Sequence, residues 1–183
     1  MKILIIDIET TGLDPVTSKI VEVGIVSLDL ATGEKWTLMD EVTHETGITR
    51  QDVDESWIVK NGYMTTEEIR RSLNFSILKP LIQKFIDEYP DGATAFNRKF
   101  DFDFLKHRGI VFKKELPCPM LASTDICKLP GKFGKYKWPK AEEAWNFFYP
   151  GADYKEKHRG ADDAWHEADV VRALYVQGNF KIQ

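Results

Sequence analysis

Residues 3–13, which read ILIIDIETTGL, decide the fold of this chain. An apolar run rich in isoleucine leads into two acids, Asp7 and Glu9, and Thr10-Thr11-Gly12 closes it. This composition is typical of a central strand buried on both faces, so a strand is predicted from Ile3 to Ile8. The two carboxylates then lie at its carboxyl end, where a chain leaving the sheet can turn both toward one ion.

The rest of the chain predicts an antiparallel meander followed by alternating helices and strands. Two β-branched stretches, Lys19 to Leu30 and Glu34 to Val42, flank a Thr-Gly turn and predict a hairpin. Apolar spacing then predicts an amphipathic helix from Thr65 to Tyr89, in which Pro80 is tolerable only within the first turn. The remaining predicted elements are a strand from Ala93 to Phe96, a helix from Asp101 to Arg108, a strand from Met120 to Ile126, and helices from Ala141 to Phe148 and from Gly160 to Gln177. This order predicts an α/β fold.

Composition and charge narrow the class of protein. The 183 residues, 43% of them apolar, are enough for one core, and we expect a single domain over residues 1–183. The formal net charge of −4 argues against a protein that coats DNA non-specifically. Any contact with nucleic acid therefore has to be local.

Cysteine usage and hydropathy predict a soluble, cytoplasmic protein. Cys118 and Cys127 form no C-x-x-C pair, which argues against a zinc site and a disulfide framework and favours a reducing compartment. The apolar run at residues 3–6 is too short for a signal peptide, and no stretch approaches the ~18 apolar residues of a membrane span. No membrane partner is therefore expected.

Asp7 and Glu9 are candidate ligands of a hard divalent cation, which prefers carboxylate oxygens. Their spacing alone is a weak signal, because Asp52 and Asp54 are spaced in the same way in this acidic chain. The position favours a site, since a carboxylate that ends an apolar strand is costly to bury without a partner. A solvated strand end is the alternative.

Three stretches, in order along the chain, closely resemble the motifs of DnaQ-like (DEDDh) 3′–5′ exonucleases. They are Asp7 to Leu13 with Ile20 to Gly24 (IVEVG), Ala95 to Leu105 (AFNRKFDFDFL), and His158 to Ala164 (HRGADDA). The register of the second motif selects Asp101 over Asp103. This chain has Phe96 and Arg98 where the family often has histidine and alanine, a departure that affects substrate contacts more than metal binding.

Helical periodicity supports the third motif independently. At about 100° per residue, Asp163 falls on the same stripe as Val170 and Leu174, which predicts that its side chain points inward. Asp162 and Asp169 instead share a face with His166, which has no acid at the required spacing and is interpreted as a surface histidine. The simpler alternatives are a capping histidine at position 158 and a first-turn acid favoured by the helix dipole at position 163.

The resemblance covers residues 3 to about 174 and implies a ribonuclease H-like fold. This is a five-stranded mixed sheet, three antiparallel strands followed by two parallel ones, with helices on both faces. The implied cofactors are two divalent ions, Mg²⁺ or Mn²⁺. In the family's division of roles Asp7 bridges both ions, Glu9 and Asp163 complete the catalytic one, Asp101 helps to hold the second, and His158 is the general base.

The resemblance also implies a substrate and an assembly. The substrate would be the 3′ end of single-stranded DNA or RNA, released as nucleoside 5′-monophosphates, and a homodimer is possible. The implied substrate-binding residues are Thr10, Thr11, Gly12, Leu13 and Asn97. Leu13 resembles a wedge that separates the last two bases, with plain core as the alternative.

Several questions stay open from the sequence. The basic loop, residues 128–140, interleaves lysines with Phe133, Tyr136 and Trp138 and suits either contact with a nucleic-acid backbone or simple solvation. DNA is not distinguished from RNA, and residues 56–73 match no motif. The alternative functions are a nucleic-acid-binding module of the same fold without strong catalysis and a haloacid-dehalogenase-like phosphatase, which would need an aspartate where this chain has Glu9.

Overall fold

The computed structural model describes residues 1–182. Within them the strands are Lys2–Thr10 (β1), Ile20–Asp29 (β2), Lys35–His44 (β3), Leu73–Asn74 (β4) and Ala93–Thr94 (β5). The α-helices are Arg50–Glu55 (α1), Trp57–Lys60 (α2), Thr66–Arg71 (α3), Phe75–Glu88 (α4), Arg98–His107 (α5), Pro119–Cys127 (α6), Ala141–Phe148 (α7) and Gly160–Val176 (α8). One turn of 3₁₀-helix, Lys132–Gly134, lies in the basic loop.

The strands form one mixed sheet in the order β4-β3-β2-β1-β5. The first three strands are antiparallel, whereas β5 pairs parallel with β1 and β4 pairs parallel with β3. Helices cover both faces. The predicted ribonuclease H-like architecture is therefore confirmed, and β1 lies inside the sheet between β2 and β5.

The strand predicted from Met120 to Ile126 is wrong, because this segment is helix α6. A proline occupies its first helical position, where the fixed φ angle favours a helix and no hydrogen bond is lost. Its partly buried apolar residues pack in the cluster formed with α7 and α8. Where the predicted strand would have paired with β5, Ala93 instead forms an isolated parallel bridge with Glu115.

The single helix predicted from Thr65 to Tyr89 is also wrong, because two helices are separated there by β4. Leu73 and Asn74 pair with the end of β3, and the Asn74 side chain then caps α4 by accepting from the Ser76 N–H at 3.0 Å. Pro80 is the sixth residue of α4 and not in its first turn, so the helix lacks one backbone hydrogen bond.

Smaller differences concern the ends of elements. The strand predicted from Ala93 to Phe96 pairs only at its first two residues, and α5 begins at Arg98, three residues earlier than predicted. The helices at residues 141–148 and 160–176 begin where the sequence predicts them.

Two apolar clusters cover the two faces of the sheet. Alternate residues of β1 divide between them, since Leu4, Ile6 and Ile8 pack toward α4 and α5, whereas Ile3 and Ile5 pack toward α6, α7 and α8. Asp7 and Glu9 are the next residues in the alternation that includes Ile3 and Ile5. They therefore project toward the face that α8 covers.

A third, smaller cluster joins α1, α2 and α3 to the outer end of β2. Its buried members are Val21, Val53, Ile58, Met64 and Ile69. This is the segment that matches no sequence motif, and it packs beside the amino-terminal end of α8. Among residues 1–182, no helix combines the length and the apolar character that crossing a membrane requires.

Candidate active site

The candidate site is an acidic cavity of about 930 Å³ at the carboxyl end of β1. Asp7, Glu9, Asp101 and His158 line it. Asp7 and Glu9 are two residues apart on one strand, so they share a face. The register shift between Glu9 and Thr10 marks the point where β1 leaves its regular pairing with β2.

Two glycines, Gly24 and Gly160, allow the backbone of α8 to contact the backbone of the sheet beside β1. Gly24 of β2 lies opposite Asp7, and a Cβ there would come within 2.0 Å of the Gly160 carbonyl carbon. A Cβ on Gly160 would likewise meet the Gly24 nitrogen at 2.7 Å and the Asp7 carbonyl oxygen at 3.3 Å. The first turn of α8 can therefore lie directly on the sheet beside the acids of β1.

Because of this contact, His158 lines the cavity and Asp163 lies buried next to it. One atom of each of Glu9, His158 and Asp163 lies within 4.8 Å of the other two, which is close enough for a shared ion. The predicted inward orientation of Asp163 is confirmed, since 1% of the residue is exposed and Val170 and Leu174 are buried on the same stripe. Asp163 accepts hydrogen bonds from the Tyr154 hydroxyl at 2.8 Å and the Arg159 N–H at 2.8 Å.

Asp101 enters from the first turn of α5, with 4% of the residue exposed. Its Oδ1 accepts from the Ile8 backbone N–H at 3.2 Å, which places the carboxylate between Asp7 and Glu9 along the strand. Asp103, the alternative in the second motif, pairs instead with Lys99 near the surface. The structure thus places four of the five predicted catalytic residues on one cavity, with the fifth, Asp163, buried beside Glu9 and His158.

The carboxylates repel one another in this buried setting. Burial, and next the charge of Asp163, raise the pKa of Glu9 to about 9, and burial raises the pKa of Asp101 to about 8. The pKa of Asp7 is also raised, by burial first and then by the charges of Glu167 and Asp101. Divalent cations would relieve this repulsion.

One oxygen of the cluster supports a metal site specifically. Asp7 Oδ2 is buried and makes no hydrogen bond within residues 1–182. A buried carboxylate oxygen without a partner is costly, and an oxygen-rich donor set is what Mg²⁺ and Mn²⁺ prefer. The residues therefore fit a divalent cation, with Asp7, Glu9, Asp101 and Asp163 as available ligands.

Two further acids of the cavity were not predicted from the sequence. Glu167 lies one helical turn after Asp163, is 4% exposed, and accepts from the Phe96 N–H at 3.2 Å. Burial, and next the charge of Asp101, raise its pKa well above the usual range. The helical periodicity that predicted an inward Asp163 also applies to Glu167, four positions later, so the sequence pattern could have predicted that Glu167 is buried.

The second acid, Glu156, lies in the loop before α8. Burial, and then the charge of Asp163, raise its pKa to about 7, and no periodic pattern in the sequence marks it.

An ion pair between the buried Glu22 and the partly exposed Arg159 holds the loop that carries His158. Glu22 of β2 is fully buried and accepts from Arg159 at 2.9 Å and from the Gly160 N–H at 3.0 Å. Burial raises the pKa of Glu22, and the hydrogen bonds from Arg159 and Gly160 oppose that rise. These contacts link the first sequence motif, which contains Glu22, to the third, which contains Arg159 and Gly160. They lie beside the close contact between Gly24 and Gly160.

Four of the five predicted substrate-binding residues, Thr10, Gly12, Leu13 and Asn97, line the cavity or the hollow beside it, and Thr11 braces the turn that carries the first three. The turn is held to β2 because the Thr11 hydroxyl accepts from the Lys19 N–H at 2.9 Å, while the Thr10 hydroxyl donates to the Gly12 carbonyl at 2.6 Å. Leu13 is 85% exposed, so the alternative that it belongs to the core is wrong. Asn97 precedes α5 and lines the cavity.

The basic loop borders the same cavity through its last residues, Trp138 to Lys140. Trp138 is 64% exposed and Phe133 is 98% exposed, whereas Lys137 pairs with Glu143 at 2.5 Å.

His166 is not the surface histidine that the sequence indicated. Its ring stacks on Tyr154, with centroids 3.9 Å apart and planes at 16°, and it lies within 5.7 Å of the Trp145 ring. Because the Tyr154 hydroxyl also donates to Asp163, His166 packs against a residue that orients a carboxylate of the site.

Comparisons with known proteins agree with this geometry. A family model described as an exonuclease matches residues 4–171. No curated protein sequence is significantly similar to the chain.

Solved structures share the fold at low sequence identity. A 3′-exonuclease described in 3′-end-specific recognition of a histone mRNA stem-loop has a TM-score of 0.67 and 16% identity over 99% of this chain and 84% of its own. Full-length 3′-exonuclease has a TM-score of 0.67 and 17% identity over 99% of this chain and 62% of its own. Exonuclease I of E. coli with a dA16 oligonucleotide has a TM-score of 0.65 and 12% identity over 96% of this chain, but the match spans only 41% of Exonuclease I.

Likenesses at such identities establish the fold, whereas the family model covers nearly the whole chain. The phosphatase alternative is therefore set aside. The chain belongs to the exonuclease family, the DnaQ-like 3′–5′ exonucleases with a ribonuclease H-like fold, whose members generally use divalent metal ions.

Proposed function

We propose that this chain hydrolyses the terminal phosphodiester bond at the 3′ end of single-stranded nucleic acid, with two divalent ions, and releases nucleoside 5′-monophosphates. The observation that carries the proposal is the cluster of four carboxylates and His158 at one cavity, with Asp163 buried beside Glu9, and with Asp7 Oδ2 buried and without a hydrogen-bond partner among residues 1–182. Asp7, Glu9, Asp101 and Asp163 would hold the ions. When bound, a pair of such ions supplies charge relief to the scissile phosphate and its leaving oxygen.

His158 would accept the proton of the attacking water. Its ring reaches to within 4.8 Å of the Glu9 and Asp163 carboxylates, at the mouth of the cavity. Burial lowers the pKa of this imidazole, and the charge of Asp163 opposes the shift, so that a neutral ring able to accept a proton is favoured near pH 7.

The turn of residues 10–13 would bind the terminal nucleotide. A second hollow, lined by Glu9, Gly12, Leu13, Trp57 and Phe100, adjoins the metal-binding acids. The ring of Phe100 suits a base, and the exposed Leu13 suits a wedge between the last two bases. A chain end with unstacked bases fits this hollow better than a duplex.

The test is the release of labelled mononucleotide from a 3′-labelled oligomer in the presence of Mg²⁺ or Mn²⁺. Asp101→Asn is expected to abolish release. Asp103→Asn is the matched control, because Asp103 lies on the same helix but outside the acidic cavity, and it is expected to retain activity. Matched DNA and RNA oligomers compare the two substrates. Binding without release by the unaltered chain would favour the non-catalytic module instead.

We also propose a reducing, cytoplasmic location and a homodimer. Both cysteines are free, with Cys127 buried, which suits a compartment where thiols stay reduced. Light scattering tests the second point: a solution mass of 21.1 kDa rather than twice that value would contradict a dimer.

A further inference from the structure

The ring of His158 packs against the edges and faces of two aromatic side chains. Its centroid lies 4.7 Å from the Trp57 ring with planes at 87°, and 4.4 Å from the Tyr63 ring with planes at 68°. The two aromatic rings stack on each other at 5.2 Å and 28°. All three rings line the acidic cavity.

The two aromatics come from residues 56–73, the segment that no motif explains. Ile58 and Met64, which directly follow Trp57 and Tyr63 in the chain, are buried at 1% and 2% exposure and anchor the segment against β2. The chain returns through Gly62, whose φ of 76° suits glycine, and the Tyr63 N–H then donates to the Ile58 carbonyl at 3.0 Å. The buried residues of this segment therefore hold Trp57 and Tyr63 in place where both rings line the cavity.

His158 itself has few other restraints. Its backbone adopts a φ of 52°, a left-handed conformation that is unfavourable for a residue with a side chain. Within residues 1–182, neither ring nitrogen of His158 makes a hydrogen bond, although Glu9 and Asp163 oxygens lie within 4.8 Å of it. The contacts that fix the ring plane are thus those with the two aromatic rings, in an edge-on geometry that aromatic pairs prefer.

We propose that Trp57 and Tyr63 are positioning residues that clamp the imidazole of His158 and direct a ring nitrogen toward Glu9 and Asp163. The role of the clamp in catalysis rests on the proposed function, whereas the clamp itself is a statement about the orientation of the ring. A base platform for the substrate is the competing role for the same rings, because Trp57 is 53% exposed and borders both hollows.

The test of the clamp uses NMR signals of the imidazole C–H protons in the full chain. The chain contains 4 histidines, and the His158 signals are assigned by their absence in His158→Gln. Ring currents should displace these signals from ordinary histidine positions. Tyr63→Leu and Trp57→Leu should move them back, whereas Tyr63→Phe and Trp57→Phe, which keep a ring, should largely preserve them. Unchanged His158 signals in both leucine variants would overturn the clamp.

Steady-state kinetics test whether the orientation of His158 by these two rings affects catalysis. Each leucine variant is expected to lower kcat roughly tenfold with KM within about twofold, and the phenylalanine variants should recover most of kcat. Trp36→Leu is the control, because Trp36 is an exposed tryptophan of β3 that lines neither hollow and is expected to leave kcat and KM unchanged. A rise in KM with kcat unchanged would overturn the positioning role in favour of a base platform. Should the chain show no nuclease activity at all, the proposed function fails while the NMR result still decides the clamp.

Discussion

Glu9→Gln should stabilise the metal-free protein while it removes nuclease activity. Glu9 and Asp163 have carboxylate oxygens within 4.8 Å of each other. At an effective dielectric constant of about 20, two charges at that distance repel by roughly 3 kcal/mol. Glutamine has nearly the same shape and no charge, so the variant avoids the cost of burying a charged carboxylate, which is the first cause of the raised pKa of Glu9, and also this repulsion.

The pKa of Glu9 gives a similar magnitude and a sign for the pH dependence. Its folded-state pKa of about 9 lies above the ordinary value of 4.5, so the folded chain binds a proton more tightly than the unfolded chain. The associated stability is present below pH 4.5 and is lost as the pH rises toward 9, at about 1.4 kcal/mol per pH unit. At pH 7 the loss is roughly 3 kcal/mol, and at pH 5 it is below about 1 kcal/mol.

The assay is thermal and urea denaturation in EDTA at pH 5, 7 and 8. Relative to the unaltered chain, Glu9→Gln should gain little at pH 5 and up to roughly 3 kcal/mol at pH 7, or about 6 to 12 °C in Tm. Glu41→Gln, an exposed glutamate on β3, is the matched control and should change stability little at any of these pH values. A Glu9→Gln variant that is less stable than the unaltered chain at pH 7, or whose gain does not grow with pH, would refute the idea of a repelling acidic cluster.

Other outcomes follow from the same structure. Chelation should abolish activity and added Mn²⁺ should restore it, and Mn²⁺ should raise Tm more at pH 8 than at pH 5, because the ligands must be deprotonated; equal shifts would argue against a carboxylate site. Gly24→Ala should cost about 3 kcal/mol or more in urea denaturation, since its Cβ would lie 2.0 Å from the Gly160 carbonyl carbon; a variant of normal stability would mean that β2 and α8 separate easily. Arg159→Leu should cost about 3 kcal/mol because the fully buried Glu22 loses its cation, and a near-neutral result would show that water replaces it. Changing three lysines of the basic loop to alanine should reduce the salt dependence of oligonucleotide binding by about 0.7 in the log–log slope for each phosphate that the loop no longer neutralises, and an unaltered slope would exclude the loop from the interface.

The amino-acid sequence by itself determined the parts of this protein that depend on local periodicity and on motif spacing. The isoleucine-rich run ending in Asp7 and Glu9 has the composition of an inner strand, and β1 is one. The position of Asp163 on an apolar stripe predicted its burial. The order and spacing of three motifs identified the family that the family model then showed.

Only the tertiary structure decided which segments meet. Met120 to Ile126 is rich in apolar residues that suit either a strand or a helix, and its packing beside α7 and α8 selects the helix. Leu73 and Asn74 become a strand only because the end of β3 offers unpaired backbone groups there.

The same limit applies to the site. Trp57 and Tyr63 lie about a hundred residues before His158 in the chain, and no local pattern connects them. Glu22 and Arg159 likewise become partners only when Gly24 and Gly160 bring β2 and α8 into backbone contact. Periodicity shows which side of an element is buried, whereas the identity of the residues against which it is buried depends on long-range packing.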